Sequence, residues 1–360
     1  MDQPDFDQPI LSVRGQDASI SELLRGMIAL KASELFLKTG ANLRFKIGGR
    51  VRSVESDRLT ARHMAFIQKV FLGEDGSRAL TERGVADMVY ETSRARYRVH
   101  FAFGHTGCYA TIRIIAQDLL GFRQLGLPES VQRGMLAMRS GLFVVCGSTD
   151  AGKTVTCTSF LNELNQNQEM AILTLEDPIE HIFEDARSWI VQREVGLHVP
   201  SFAEGVKSAL RENVDVIFVG EMRDHATIEQ VLRAAEMGHL VVTTLHTDDA
   251  ISAISRIIGS FDMADQARIR QSLAGTLNGV LYQRLLPAAN GGRLPCVEVM
   301  WPQGAVRTIL RGGDLSKLPT YLGPSTGGIV YRDCLNELSK GGWIARPVFD
   351  AEQARLRAMN

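Results

Sequence analysis

Gly147-Ser148-Thr149-Asp150-Ala151-Gly152-Lys153-Thr154 fits the pattern G-x-x-x-x-G-K-[ST]. Such a loop cradles phosphate only when a strand enters it and a helix leaves it. Both conditions hold. The apolar run Leu142–Val145 leads in, and Lys153 to Asn165 reads as a helix. Backbone N–H groups of the loop and of the helix N-terminus then point at phosphate oxygens, where the local dipoles favour negative charge. Lys153 is expected to reach the β- and γ-phosphates of a nucleoside triphosphate, and the Thr154 hydroxyl to hold Mg²⁺. Asp150 is discordant, since a carboxylate near phosphates repels them unless it turns outward. Aspartate tolerates left-handed backbone better than most residues, so a turn role at this position is the alternative to weakened nucleotide binding.

Outward from this loop lie further short apolar runs at Ala171–Leu175, Val216–Val219 and Leu240–Leu245. Each has the length of a strand and is apolar throughout, as strands covered on both faces are. Helical patterns separate several of them, with Ile228, Val231, Leu232 and Ala235 on one face and Gly238 as the stop. Strands alternating with helices predict a largely parallel α/β sheet. The tail from about Asp265 onward reads as mainly helical with short breaks.

Ligands of open α/β sheets bind at the C-terminal ends of the strands. Polar stretches follow the runs at that rim: Leu175-Glu176-Asp177-Pro178-Ile179-Glu180, Gly220-Glu221-Met222-Arg223-Asp224, and His246-Thr247-Asp248-Asp249. Singly, each reads as a solvated acidic loop. Together, on the rim that carries the phosphate loop, they supply what phosphoryl transfer to water needs: a metal site, a carboxylate for the water, and positive charge. Glu176 is grouped with the nucleotide-binding residues. His239 and His246 bracket one strand at an odd spacing, on opposite faces, and are poor partners for a single metal. His246 lies at the site end and suits phosphate sensing, whereas His239 also fits a satisfied histidine at the strand entrance.

The N-terminal half is built differently. Residues 1 to about 18, with Pro4 and Pro9, read as a loose arm or an edge strand. Ser19 and Glu22 form a capping box for an amphipathic helix carrying Ile20, Leu23, Leu24, Met27 and Ile28. Strand-like stretches follow at 35–37, 43–47, 97–103 and 109–115, with a helix from about Thr60 to Leu72. These elements describe a small α+β domain over residues 1–116. Residues 117–128, carrying Gly121, Gly126 and Pro128, read as a linker to a second domain at 129–360.

The chain has 360 residues, too many for one ordinary core, and a net charge of -1. That charge gives no global case for a nucleic-acid or polybasic membrane binder. The five cysteines, Cys108, Cys146, Cys157, Cys296 and Cys334, contain no C-x-x-C pair, so zinc-ribbon spacing is absent and reduced thiols in a cytoplasm are the simpler reading. Neither a signal-peptide pattern nor an apolar run of roughly 18 residues is seen, so membrane association is expected through partners.

Four segments together resemble the secretion ATPase superfamily of type II and type IV systems: GSTDAGKT, LTLEDPIEHI, VDVIFVGEMRD and GHLVVTTLHTDDA. They are similar to its Walker A, Asp box, Walker B and His box, in that order. The likeness extends to ASELFLKTG, RYRVHF, TIRII, QREVG and AVRTILRGG, and so covers nearly the whole chain. The resemblance implies a PAS-like N-terminal domain, a RecA-like P-loop ATPase domain, and a homohexamer that hydrolyses ATP with Mg²⁺. By the same resemblance Glu180 matches the general base, Glu221 the Walker B glutamate acting on the Mg²⁺ shell, and His239 and His246 the His box. Arg96, Arg98 and Arg113 match N-domain arginines that reach phosphates across a domain or subunit boundary. Asp150, Ala151 and Thr154 depart from the glycine, serine and serine usual there. Without the long N-terminal extension and four-cysteine metal subdomain usual in assembly and type II secretion ATPases, the chain resembles the short branch, with pilus-retraction motors and type IVB secretion and conjugation ATPases. AVRTILRGG favours retraction, while FLGEDGSRAL and GVADMVYE look more like the type IVB branch. The implied partners are inner-membrane platform proteins at the cytoplasmic face, with no direct nucleic acid. A RecA-like nucleic-acid motor is the competing class, but aromatics are only 7% and do not cluster beside a basic run. A weakly hydrolysing scaffold, motivated by Asp150, is the other.

Overall fold

The structure is a computed structural model that describes residues 6–115 and 119–359. The chain forms two compact units, Met1–Gln117 and Asp118–Asn360. The first five residues of the expected arm and the first two of the expected linker lie outside the described residues.

The first unit opens with a hairpin of β1 (Pro9–Val13) and β2 (Gln16–Ser19), a two-stranded sheet where a loose arm or edge strand was expected. α1 (Ile20–Ala29) begins at the Ser19–Glu22 capping box read from the sequence and buries Ile20, Leu23, Leu24 and Met27. β3 (Ala32–Lys38), β4 (Arg44–Ile47) and β5 (Arg50–Ser53) follow. α2 (Ala61–Arg83) then runs past the expected end at Leu72, after a break at Gly73. β6 (Val85–Glu91), β7 (Arg96–Gly104) and β8 (Gly107–Ile115) complete a six-stranded sheet of order β5-β4-β3-β8-β7-β6, antiparallel at every pairing. Leu35, Leu37, Phe45, Tyr97, Val99, Phe101, Ala110 and Ile112 fill its core with residues of α1 and α2. Alternation along the strands turns Arg96, Arg98 and, opposite Arg98, Arg113 to the other face.

The second unit starts inside the stretch expected to be a linker. Phe122 and Leu127 are buried in its core, which anchors a short 3₁₀ turn at Phe122–Leu125. Then come α3 (Glu129–Ala137), β9 (Gly141–Cys146), α4 (Lys153–Asn167), β10 (Ala171–Glu176), β11 (Trp189–Glu194), α5 (Phe202–Ala209), β12 (Val216–Val219), α6 (His225–Glu236), β13 (Leu240–Leu245), α7 (Ala250–Gly259) and α8 (Met263–Thr276). β14 (Leu277–Pro287), β15 (Arg293–Met300), α9 (Ala305–Gly312), α10 (Tyr331–Lys340) and α11 (Arg346–Met359) end the chain.

The sheet order is β11-β10-β12-β13-β9-β14-β15. All pairings are parallel except that of β14 with β15. Every residue of β9, β12 and β13 is buried, which is why these segments read as unbroken apolar runs. The tail is where the sequence reading fails. β14 and β15 stand where a mainly helical segment was expected. β14 lies against buried β9, and Leu277, Val280, Leu281 and Leu286 are all buried, so its polarity does not alternate. Asn278, Gln283 and Arg284 interrupt its apolar residues, so the strand shows neither a continuous apolar run nor a period of two.

Candidate functional site

β9 delivers the chain into the glycine-rich loop and α4 carries it away, so the parallel strands place the loop at their C-terminal edge. Gly147 has φ +153, and a Cβ there would run into the carbonyl oxygen of Gln283 on β14. Gly152 has φ +83, and its Cβ would come within 2.9 Å of the Gln283 amide nitrogen. Both positions therefore require glycine. The Gln283 side chain braces the loop from the strand beside it, donating to the Ala151 carbonyl at 2.7 Å and accepting from the Thr156 hydroxyl at 2.8 Å. Asp150 sits at φ +63 with an exposed side chain, the left-handed turn position read from the sequence.

Lys153 is 7% exposed, and its ammonium donates to the carbonyls of Gly147 at 2.9 Å and Ser148 at 2.8 Å. Burial pulls its pKa down, and the nearby Glu221 carboxylate opposes that pull. The ammonium also lies 3.4 Å from Nδ1 of His246, whose Nε2 is 3.4 Å from Glu221 Oε1. The other Glu221 oxygen pairs with Arg223 at 2.8 Å. Burial, and next the charge of Lys153, push the His246 pKa below its ordinary value. A neutral ring satisfies both neighbours as the Nε2–H tautomer, accepting from Lys153 and donating to Glu221. Lys153, His246, Glu221 and Arg223 thus form one continuous polar chain across the ends of β9, β13 and β12.

Glu176 ends β10 and is 2% exposed. Its Oε1 accepts from the Thr174 hydroxyl at 2.6 Å and from the Gln192 amide at 3.1 Å. The backbone N–H of Glu180 donates to the same carboxylate. This residue, expected among the nucleotide-binding groups, is instead committed to supporting the loop that follows it. Glu180 stands half-buried on that loop. From β10 to β9 there are three strand spacings, on the order of 14 Å, so Glu180 is at the same rim as the loop but further along it than Glu221 or His246.

His239 is not at this rim. It precedes β13 at the opposite end of the strand, with Nδ1 3.0 Å from the Ala234 carbonyl, and is the satisfied strand-entrance histidine that the sequence allowed. In the first unit Arg96, Arg98 and Arg113 share a sheet face, each beside a carboxylate: Glu91 at 3.5 Å, Asp87 at 3.6 Å and Glu34 at 3.9 Å. Gln283 was not singled out from the sequence, and Gln192 entered only as the first residue of QREVG, with no role assigned. Gln283 lies in the segment misread as helical, and Gln192 in a strand that the apolar-run criterion passes over.

The donor set fits Mg²⁺ with a nucleotide. The Thr154 hydroxyl and the Glu221 carboxylate are hard oxygen ligands of the kind that ion takes alongside substrate phosphates. Among the described residues no cluster of His, Cys, Asp and Glu forms an all-protein metal cage.

Burial pushes the Glu176 carboxyl from its ordinary 4.5 up to about 7. The folded chain therefore binds this proton more tightly than the unfolded chain. The stabilisation is fully present below about pH 4.5 and is lost as pH rises through about 7. Its full size is about 3 kcal/mol. Glu176→Gln should flatten that part of the stability profile, measured by denaturant unfolding from pH 4 to 8. An unchanged slope would show that Glu176 is ionised in the folded chain throughout.

A strand-loop-helix phosphate cradle at the C-terminal edge of a parallel sheet, with a buried lysine and a carboxylate on the neighbouring strand, defines a P-loop nucleoside triphosphatase. The chain belongs to the type II/IV secretion system protein family, whose model matches residues 15–300. It is 34% identical over 340 residues to the type IV pilus retraction ATPase PilT of Pseudomonas aeruginosa PAO1, spanning 94% of this chain and 98% of that one. The crystal structure of the pilus retraction motor PilT with bound ADP matches with a TM-score of 0.84 at 34% identity, over 92% of this chain and 96% of that chain. The X-ray structure of the Legionella pneumophila ATPase DotB matches with a TM-score of 0.80 at 25% identity, over 93% of this chain and 95% of that chain.

Proposed function

We propose that the chain is an ATP-driven homohexameric motor of type IV pilus retraction, acting on platform proteins at the cytoplasmic face of the inner membrane. What carries this reading is the agreement with PilT over nearly the full length of both chains, in sequence and in shape, joined to an intact phosphate site. In it the amides of Gly147 to Thr154 hold the phosphates and Lys153 leaves its own loop carbonyls for the β- and γ-oxygens. Thr154 and Glu221 would hold Mg²⁺, which would supply positive charge to the triphosphate. Glu180 takes the proton of the attacking water as the water oxygen bonds to the γ-phosphorus and the bond from that phosphorus to the bridging oxygen breaks, releasing ADP and phosphate. Arg96, Arg98 and Arg113 are the cations that a neighbouring copy brings to the leaving phosphates. His246 relays occupancy of the Lys153 position to Glu221.

A second reading, a type IVB secretion ATPase, draws support from the comparable match to DotB. Purified chain should hydrolyse ATP only with a divalent ion, and light scattering with a non-hydrolysed analogue should give six times the 39.7 kDa chain mass. Absence of hydrolysis, or a particle that stays monomeric, overturns the motor reading. Loss of the gene should leave extended pili that fail to retract. Normal retraction with blocked export would select the second reading.

A further inference from the structure

The Asp-box loop that follows β10 is held by side chains of its edge neighbour β11. In register Thr174 pairs with Gln192 and Glu176 with Glu194. The Gln192 amide nitrogen donates to Glu176 Oε1 at 3.1 Å and to the His181 carbonyl at 2.7 Å. Its Oε1 accepts from the Phe183 N–H at 2.9 Å. Glu194 accepts from the Ile179 N–H at 3.1 Å, and Glu176 from the Glu180 N–H. Ile179, His181 and Phe183 are buried beneath the loop, so alternate residues anchor it from below. The backbone on either side of Glu180 is therefore fixed at positions 179, 180, 181 and 183 by Glu176, Gln192 and Glu194.

We propose that Gln192 is a positioning residue for ATP hydrolysis: together with Glu176 it clamps loop 177–183 so that the Glu180 carboxylate is presented to the water. This rests on the reading of Glu180 as the base. One amide holding a carbonyl and an N–H two residues apart fixes both position and direction of the peptide between them. A base displaced by about 1 Å loses on the order of a hundredfold in rate, while ground-state binding of nucleotide by the glycine-rich loop is untouched.

The test is steady-state ATP hydrolysis and nucleotide affinity for Gln192→Leu, Glu180→Gln and the double variant, with hydrogen exchange of loop amides. Gln192→Leu should lower kcat by about 10- to 100-fold and leave KM and nucleotide affinity within about twofold. Exchange at Phe183 should accelerate while that of β12 and β13 stays slow. In the Glu180→Gln background the second change should cost nothing more, because the group it positions has gone. Gln192→Asn, which keeps the amide but is too short for all its partners, is read the same way if the leucine variant does not fold. A wild-type kcat, a multiplicative double loss, or equal losses in kcat and nucleotide affinity would overturn the proposal. If Gln192→Leu is impaired and Glu180→Gln is not, the clamp acts through another group of the loop and this proposal fails. If wild-type protein does not hydrolyse ATP at all, the motor reading fails first and takes the proposal with it.

Discussion

Lys153→Ala is expected to lower ATP turnover by at least about 10²–10³-fold, the scale on which a single group aimed at developing charge contributes. The structure shows why the rest of the polar chain does not compensate. Among the groups in the polar chain, His246 is held neutral by burial and by Lys153 itself, and Arg223 is engaged with Glu221. Lys153 is thus the cation set directly into the phosphate loop, at the first residue of α4. Its loss should spare the fold. The Gly147 and Ser148 carbonyls can be solvated at the half-open loop, and alanine is a strong helix former. The removal of a charge from His246 should also let its pKa rise, so that the ring binds a proton at higher pH than in the parent. The measurement is phosphate release, with circular dichroism and melting temperature as the fold control and the histidine titration read by NMR. Turnover at the parent level in a folded variant would mean that the loop does not bind the transferred phosphate.

Much of the nucleotide edge of this molecule was legible because its causes are local. Gly147, Gly152, Lys153 and Thr154 are dictated by backbone geometry and phosphate chemistry within eight residues, and β9, β12 and β13 by burial on both faces. What escaped depends on partners far along the chain. Gln283 matters only because β14 returns beside β9, at a separation of more than a hundred residues from the Ala151 that it holds. Gln192 matters only because β11 lies in register with β10. The β5 and β6 strands were missed for the opposite reason. β5 is exposed at every position and β6 is half-exposed, so neither shows an apolar run. His239 shows how a motif position can mislead: its spacing from His246 spans a whole strand, and a strand has two ends.

The two carboxylates at the rim should fail in different ways. Glu221 is held at both oxygens, one by Arg223 and one facing His246, and follows a strand buried at every residue. Such a carboxylate orients a metal-bound water well but has little freedom to accept a proton. Glu180, by contrast, stands on a loop whose backbone is clamped by Glu176, Gln192 and Glu194. Preorganisation of that kind suits a base, which must sit within hydrogen-bond reach of the water in the reactive state. Glu180→Gln keeps the shape and the backbone contacts of the loop. It should leave ATP affinity nearly unchanged and cut turnover by roughly a hundredfold or more. Glu221→Ala should lower turnover and also raise the Mg²⁺ concentration needed for half-maximal rate, since a metal-shell carboxylate is typically worth about 10- to 100-fold in metal affinity or activity. It also frees Arg223 and removes the acceptor of His246, so its effect should exceed that of His246→Ala. ATP binding and single-turnover hydrolysis of the three variants across a Mg²⁺ titration separate these outcomes. Hydrolysis by Glu180→Gln at the parent rate would reduce Glu180 to a solvated loop acid. A Mg²⁺ requirement unchanged in Glu221→Ala would move Glu221 from the metal shell to the base.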